Sequence, residues 1–204
     1  ERKNVIKNLE IVKQKLKIKH LLKINQIHSS KVMTIESIKK FNTEFEGDGL
    51  VTNLKNVGIS ILTADCCPIL FYDKKNKVIA ACHAGWRGAV NGIVEKTINS
   101  MENIGANKEY IVAVTGPTIQ KYSYEIGDDV CNIIKKSDIF KKDIITNLNN
   151  GKYLFDLPLF IYEKLHSSGI RKIGNVNIDT YSNKLYFSHR RKSHEILNSK
   201  KNNK

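Results

Sequence analysis

Three short segments carry side chains suited to binding a metal ion or activating a nucleophile. They are Asn25-Gln-Ile-His-Ser-Ser, Thr63-Ala-Asp-Cys-Cys-Pro and Cys82-His-Ala-Gly-Trp-Arg-Gly. Cys66 follows an apolar run and precedes Pro68, which cannot donate to a strand ladder, so its sulfur is expected at a strand exit facing a cleft. His83 ends the run Val78-Ile-Ala-Ala-Cys just ahead of Gly85 and Gly88, and two-residue alternation sends Cys82 to the opposite face, into the core. A thiol and an imidazole at neighbouring strand ends support two chemistries. In one, His83 deprotonates Cys66 and the thiolate attacks a carbonyl, as in cysteine hydrolases. In the other, thiolate and imidazole bind zinc with a third protein ligand, and a fourth position keeps a water whose pKa falls to about 7. The second scheme needs His28, which taken alone reads as a solvated loop histidine; the first does not.

The elements that must position these residues are legible in the periodicity. Val5, Leu9, Val12 and Leu16 recur at three- and four-residue spacing among lysines and predict an amphipathic surface helix. Runs rich in β-branched residues predict strands over 57–63, 69–72, 78–82 and 110–115. A helix is expected from Gly88 to Met101, with Val90, Ile93, Val94, Thr97 and Met101 on one stripe. Asp156 as N-cap and Pro158 in the first turn open a third helix that ends at Gly169, and strands over 172–178 and 184–188 follow. Strands and helices interleave without a strict βαβ rhythm, which predicts a single α+β domain of layered mixed sheets flanked by helices, spanning 1–192. The basic remainder, 193–204, reads as a disordered tail.

Composition narrows the function classes. The formal charge of the 204-residue chain is +14, yet only five of its 34 basic residues are arginine. Phosphate and groove readers lean on arginine's bidentate fork, and these lysines are spread along the chain, so a solvated surface is expected rather than a nucleic-acid partner. No window reaches the roughly 18 apolar residues of a membrane span, and no apolar signal segment opens the chain, which begins at Glu1; the expected location is the cytoplasm. Cys66, Cys67, Cys82 and Cys131 are therefore expected as thiols or metal ligands rather than disulfides.

With these segments in place the chain resembles the YfiH family, the laccase-domain or polyphenol oxidase proteins recognised as purine nucleoside phosphorylases with adenosine deaminase activity. The matching pieces are Gln26-Ile-His-Ser, Gly47-Asp-Gly-Leu-Val-Thr, Thr63-Ala-Asp-Cys-Cys-Pro-Ile-Leu, His83-Ala-Gly-Trp-Arg-Gly, Gly116-Pro-Thr-Ile with Tyr124-Glu-Ile-Gly, and Phe187-Ser-His-Arg-Arg. The resemblance implies His28, Cys66 and His83 as zinc ligands, Cys66 being chosen over Cys67. It also implies a four-layer α/β/β/α fold, phosphorolysis of adenosine, inosine or methylthioadenosine to base and ribose 1-phosphate, and hydrolytic deamination of adenosine.

On that reading a carboxylate must move protons near the metal. Asp48 is preferred for this catalytic role, with Asp65 as a partner orienting the ligands. The loop Gly85-Trp-Arg-Gly88 running into a helix offers backbone N–H groups and Arg87 to phosphate. Gln26 and Arg190 are expected to bind substrate, Arg191 is a second candidate clamp, and Trp86 is placed to stack on a purine. Only six histidines are present, too few for clustered multicopper sites, so zinc is expected over copper. The His-x-Glu and Pro-Cys-x-x-Cys signature of nucleobase deaminases is absent. Three departures from the family accompany the match: a shorter region before the first helix, Asp179-Thr180 in place of the usual Cys-Thr, and a lysine- and asparagine-rich end. A metal-free cysteine hydrolase and an inactive relic that keeps the metal site are the alternative expectations.

Overall fold

The computed structural model describes residues 2–41 and 44–202. Helix α1 (Arg2–Leu16) opens the chain and strands β1 (His20–Leu22), β2 (Val32–Ile35), β3 (Gly49–Thr52) and β4 (Val57–Ile59) follow. Next come β5 (Cys67–Asp73), β6 (Val78–Ala84), helices α2 (Trp86–Val90) and α3 (Ile93–Asn103), and β7 (Ile111–Thr115). The remainder comprises β8 (Glu125–Gly127), α4 (Asp128–Lys135), β9 (Ile145–Asn147), β10 (Lys152–Phe155), α5 (Leu157–Ser167), β11 (Lys172–Asn175) and α6 (His189–Asn202). The class is mixed α+β, as expected. No helix among the described residues is long and apolar enough to cross a membrane.

A six-stranded sheet in the order β11-β7-β5-β6-β3-β2 is the frame, its centre antiparallel and its two edge pairs parallel. Alternation along β5 and β7 drives Ile69, Phe71, Ile111 and Ala113 into the core beneath α3 and α5, where Ile98, Met101, Phe160 and Leu165 meet them. Each such fully buried side chain contributes roughly 1.5–3 kcal/mol relative to exposure. On the opposite face Leu50 packs with Leu22 and Val57 from the small parallel pair β1–β4 and with Ile24 just beyond β1, while Leu70, Tyr72, Val112 and Val114 stay exposed. A third sheet, β8-β10-β9, stands beside this frame.

Several local expectations hold, and others give way for identifiable reasons. Asp156 caps α5 by accepting from the Leu159 N–H at 2.9 Å, and Gly169 ends that helix region at φ +92°. The helix expected over 88–101 is broken in two, because Gly92 takes φ +86° and ends α2 before α3 begins. The strand expected over 57–63 stops at Ile59. Beyond it the N–H and C=O of exposed Leu62 are both taken by the side-chain amide of Gln26, at 2.7 and 2.8 Å, so no ladder continues. The strand expected over 172–178 stops at Asn175. Residues 184–188 form no strand, since Arg191 gathers the carbonyls of Thr180, Tyr181 and Tyr186 and holds this stretch as a loop. The tail expected to be disordered continues as helix α6 as far as Asn202, and residues 203–204 lie outside the described residues.

Candidate metal centre and cavity

The start of β5, the end of β6 and the loop after β1 converge at one corner of the large sheet. There one ligand-type atom each from His28, Cys66 and His83 lies within 4.8 Å of the others. The 28 and 83 rings meet edge to face, 4.7 Å between centroids. Cys66 faces this corner, whereas Cys67 and Cys82 are fully buried in the core, Cys82 as alternation along the chain predicts.

A buried carboxylate builds the corner. Asp48 has no exposed surface and accepts the His83 Nδ1–H at 2.8 Å, the His28 N–H at 3.1 Å, and both the N–H and the hydroxyl of Ser29 at 2.5 and 2.8 Å. Those bonds hold the 28–29 loop closed even though His28 stands at φ +57°, in the left-handed region. Burial alone would raise the Asp48 carboxyl, but the bonds from His83 and Ser29 outweigh it and hold the group below the usual carboxylate range. Burial lowers His83, so its imidazole is neutral near pH 7; with the Nδ1 proton given to Asp48, the Nε2 lone pair is free to bind a metal.

The donor set of two imidazoles and one thiol suits a borderline-soft divalent ion such as zinc or copper, and three protein ligands leave a further position open. Zinc ligand distances of about 2.0–2.3 Å ask for donor atoms roughly 3.5 Å apart, which small side-chain movements supply. Gly85 leaves room for the sulfur: a Cβ there would stand 2.8 Å from Cys66 Sγ and 3.5 Å from His28 Cδ2. Burial, followed by the charges of Asp65 and Asp48, pushes the Cys66 thiol up to about 11. That thiol is protonated at neutral pH unless a cation displaces its proton, so it is a poor free nucleophile and a natural metal ligand.

The corner opens into a cavity of about 440 Å³. Gln26, Arg87 and Arg190 all line it, together with Trp86. Arg87 is exposed and stacks over the Trp86 ring at 4.5 Å. Arg190 donates through Nη1 to the Glu125 carbonyl at 2.8 Å and lies 5.3 Å from the Tyr124 ring centre. Two sequence-based expectations move. Asp48, expected to carry protons, is absent from the cavity lining and has its oxygens occupied by five donors, so its geometry is that of an orienting group. Arg191, expected as a clamp, is instead spent on main-chain carbonyls. Sequence reasoning left Tyr124, His189 and Ile119 without a role although all three line the cavity; each lies in or beside a motif quoted above, and that was the available signal.

The fold and corner define an α+β protein in which three side chains that could hold a metal ion, two imidazoles and a thiol, gather at the end of its main sheet. The profile of the family described as multi-copper polyphenol oxidoreductase laccase matches residues 1–196, and the chain belongs to that family. It is 33% identical over 193 residues to a purine nucleoside phosphorylase of Rickettsia prowazekii (strain Madrid E), covering 94% of this chain and 79% of that one. A protein of an unknown prokaryotic organism, named adenosine deaminase, is 36% identical over 140 residues, 65% of this chain and 53% of that one. Among solved structures, the hypothetical protein YfiH of Bacillus licheniformis superposes with a TM-score of 0.87 at 26% identity, over 95% of this chain and 78% of that one.

Proposed function

We propose that this chain is a zinc-dependent, cytoplasmic purine nucleoside phosphorylase that also deaminates adenosine, its substrates being purine nucleosides and phosphate rather than nucleic acid. The observation that carries the reading is one cavity lined at once by His28, Cys66 and His83, by two guanidinium-bearing side chains, and by Trp86 and Tyr124. Relatives named for these two activities support it.

His28, Cys66 and His83 would hold the ion, which when bound supplies Lewis acidity and a lowered pKa to a coordinated water. Asp48 keeps His83 in the tautomer that leaves Nε2 to the metal. Arg87 and Arg190 hold and neutralise phosphate, their planar forks matching its oxygens. Trp86 and Tyr124 offer aromatic surface to the purine. In phosphorolysis a phosphate oxygen forms the new bond at the ribose carbon as the bond to the purine nitrogen breaks, and the base leaves with a proton. Positioning two substrates in one cavity converts a bimolecular encounter into a held pair, the effect on which such a transfer chiefly depends. The thiol disfavours the metal-free hydrolase alternative, since burial pushes Cys66 up whereas a protein nucleophile calls for a lowered pKa.

The test is metal analysis of protein purified without added metal, beside His28→Ala and Cys66→Ala, with adenosine and phosphate in the same assay. About one zinc per chain, lost in both variants along with release of adenine or inosine, is the expected result. Turnover by a metal-free preparation that iodoacetamide abolishes would replace this reading with the hydrolase. Full zinc content with no turnover of any purine nucleoside would leave the relic.

A further inference from the structure

Asp65 sits between the cavity wall and the ligand Cys66 in an uncommon conformation. Its φ is +90°, a region that L side chains rarely adopt, and it is 8% exposed. Four hydrogen bonds hold it there. Its carbonyl accepts the Ile119 N–H at 2.9 Å and the Thr118 hydroxyl at 2.7 Å. One carboxylate oxygen accepts the Thr180 hydroxyl at 2.7 Å, and the other accepts the Arg190 N–H at 2.7 Å. Three segments far apart in sequence thus meet at the residue that precedes a metal ligand. Strained backbone persists only where its surroundings over-determine it.

The bond to Arg190 matters most. That amide belongs to the first turn of α6, where main-chain N–H groups have no partner within the helix. Asp65 satisfies it from across the chain. With its backbone held by Asp65 and its guanidinium by the Glu125 carbonyl, Arg190 is fixed at both ends against the cavity. We propose that Asp65 is a positioning residue that locks Arg190 and the start of α6 to the bend carrying Cys66 just ahead of β5, so that the C-terminal helix is a working wall of the active site. The inference rests on the reading of this cavity as a phosphate and nucleoside site, and it gives Asp65 no part in proton transfer.

The experiment compares Asp65→Ala, Asp65→Asn and Thr180→Val with the parent in two measurements: KM for phosphate against kcat, and hydrogen exchange of the amides in the first turn of α6. In Asp65→Ala the exchange should accelerate by about tenfold or more and KM for phosphate should rise by a similar factor, with kcat within about threefold, the scale of one lost charge-assisted hydrogen bond. Asp65→Asn should recover most of both. Its amide oxygen can accept from the Arg190 N–H while the Thr180 hydroxyl turns to accept from its amide nitrogen. Thr180→Val leaves the Arg190 bond intact and should fall between parent and Asp65→Ala, which keeps the idea testable should the alanine variant fail to fold. Parent-like exchange and KM in Asp65→Ala, or in Thr180→Val if that variant alone folds, would overturn the proposal; so would an Asp65→Asn as damaged as the alanine, which would make charge rather than position the cause. Absence of turnover in the parent would sink the phosphorylase reading alone, because the exchange measurement still decides whether Asp65 holds α6.

Discussion

The two sides of the cavity are built on opposite plans. The metal corner is anchored from beneath: His83 is 4% exposed and Asp48 not at all, and although His28 itself is exposed, its loop is held to Asp48 through its own backbone. The arginine side is open. Arg87 and His189 are exposed, and among the described residues neither Arg87 nor Arg190 is paired with a carboxylate. The difference follows from what each side must do. On the proposed reading a metal asks for donor atoms fixed to within a few tenths of an ångström, whereas the anion meets two guanidinium groups without carboxylate partners, the anchored Arg190 and the exposed Arg87.

The largest effect that would test the comparison falls on the corner. His83→Ala removes a ligand and orphans the buried Asp48, so metal content should drop to background and turnover by about a thousandfold or more, measured by elemental analysis and a coupled nucleoside assay. Gly85→Ala should do nearly the same without touching a ligand, because its Cβ meets the Cys66 sulfur at 2.8 Å. Retention of the metal by Gly85→Ala would show the corner to be more pliant than its burial indicates.

One step smaller is Asp48→Asn, which keeps volume but weakens the hold on the imidazole and on the 28–29 loop. Metal affinity should fall by about 10–100-fold, read by competition with a chelator, as is usual when a partner of a ligating histidine is lost. A pH-rate profile separates this role from proton transfer: an orienting Asp48 leaves the profile's shape in place, and disappearance of one limb would restore the catalytic assignment.

On the open side the signature reverses. Arg87→Lys keeps the charge and loses the planar fork, so KM for phosphate should rise by about tenfold while metal content stays that of the parent. If the lysine variant also lost metal, the two sides would not be separable and the comparison would fail.

This asymmetry also explains what the sequence disclosed. Of the three clustered side chains, Cys66 and His83 are legible as candidates because they sit beside strands whose alternation and bounding Pro and Gly residues mark which side chain turns outward, whereas His28 and the choice of Cys66 over Cys67 rest on the family resemblance. The main strands were legible for the same reason, β5, β6 and β7 each containing or nearly matching the expected run. The role of Asp48 is not legible, because a carboxylate in a glycine-flanked loop looks identical in sequence whether it faces solvent or the five donors that enclose it. The stretch 184–188, with its run Leu185-Tyr-Phe, reads as strand, and nothing local announces that Arg191 will collect carbonyls of Thr180, Tyr181 and Tyr186 around it. Phe187 and Leu185 are in fact 86% and 90% exposed. Both cases share a cause: the deciding partners lie outside the stretch being read, 19–35 residues away for Asp48 and 5–11 for the carbonyls that Arg191 collects.

The smallest effect concerns Asp179, which stands where the family commonly has cysteine and which organises the wall behind Tyr124. It accepts the Ser123 hydroxyl at 2.7 Å and the N–H groups of Gln120 and Tyr181 at 3.1 Å each. Burial pushes its carboxyl up, but the bonds from Ser123, Ser182, Gln120 and Tyr181 outweigh it and leave the group below the usual carboxylate range. A depressed folded pKa means that ionised Asp179 contributes stability above the unfolded value near 4, and that this contribution is lost as pH falls through the folded pKa. Asp179→Asn should therefore melt a few degrees below the parent at pH 7, a loss on the order of 1 kcal/mol for a partly exposed carboxylate. The gap should narrow as the pH is lowered below about 4, because the parent then surrenders the same interaction. Comparing the two proteins at each pH isolates Asp179 from other carboxylates that titrate in that range. Metal content should be unchanged throughout the neutral range, since nothing in the Asp179 network touches His28, Cys66 or His83. A gap that stayed constant with pH would mean that Asp179 holds the wall as a neutral acceptor, and a loss of metal in the asparagine variant would join the open side of the cavity to the closed one.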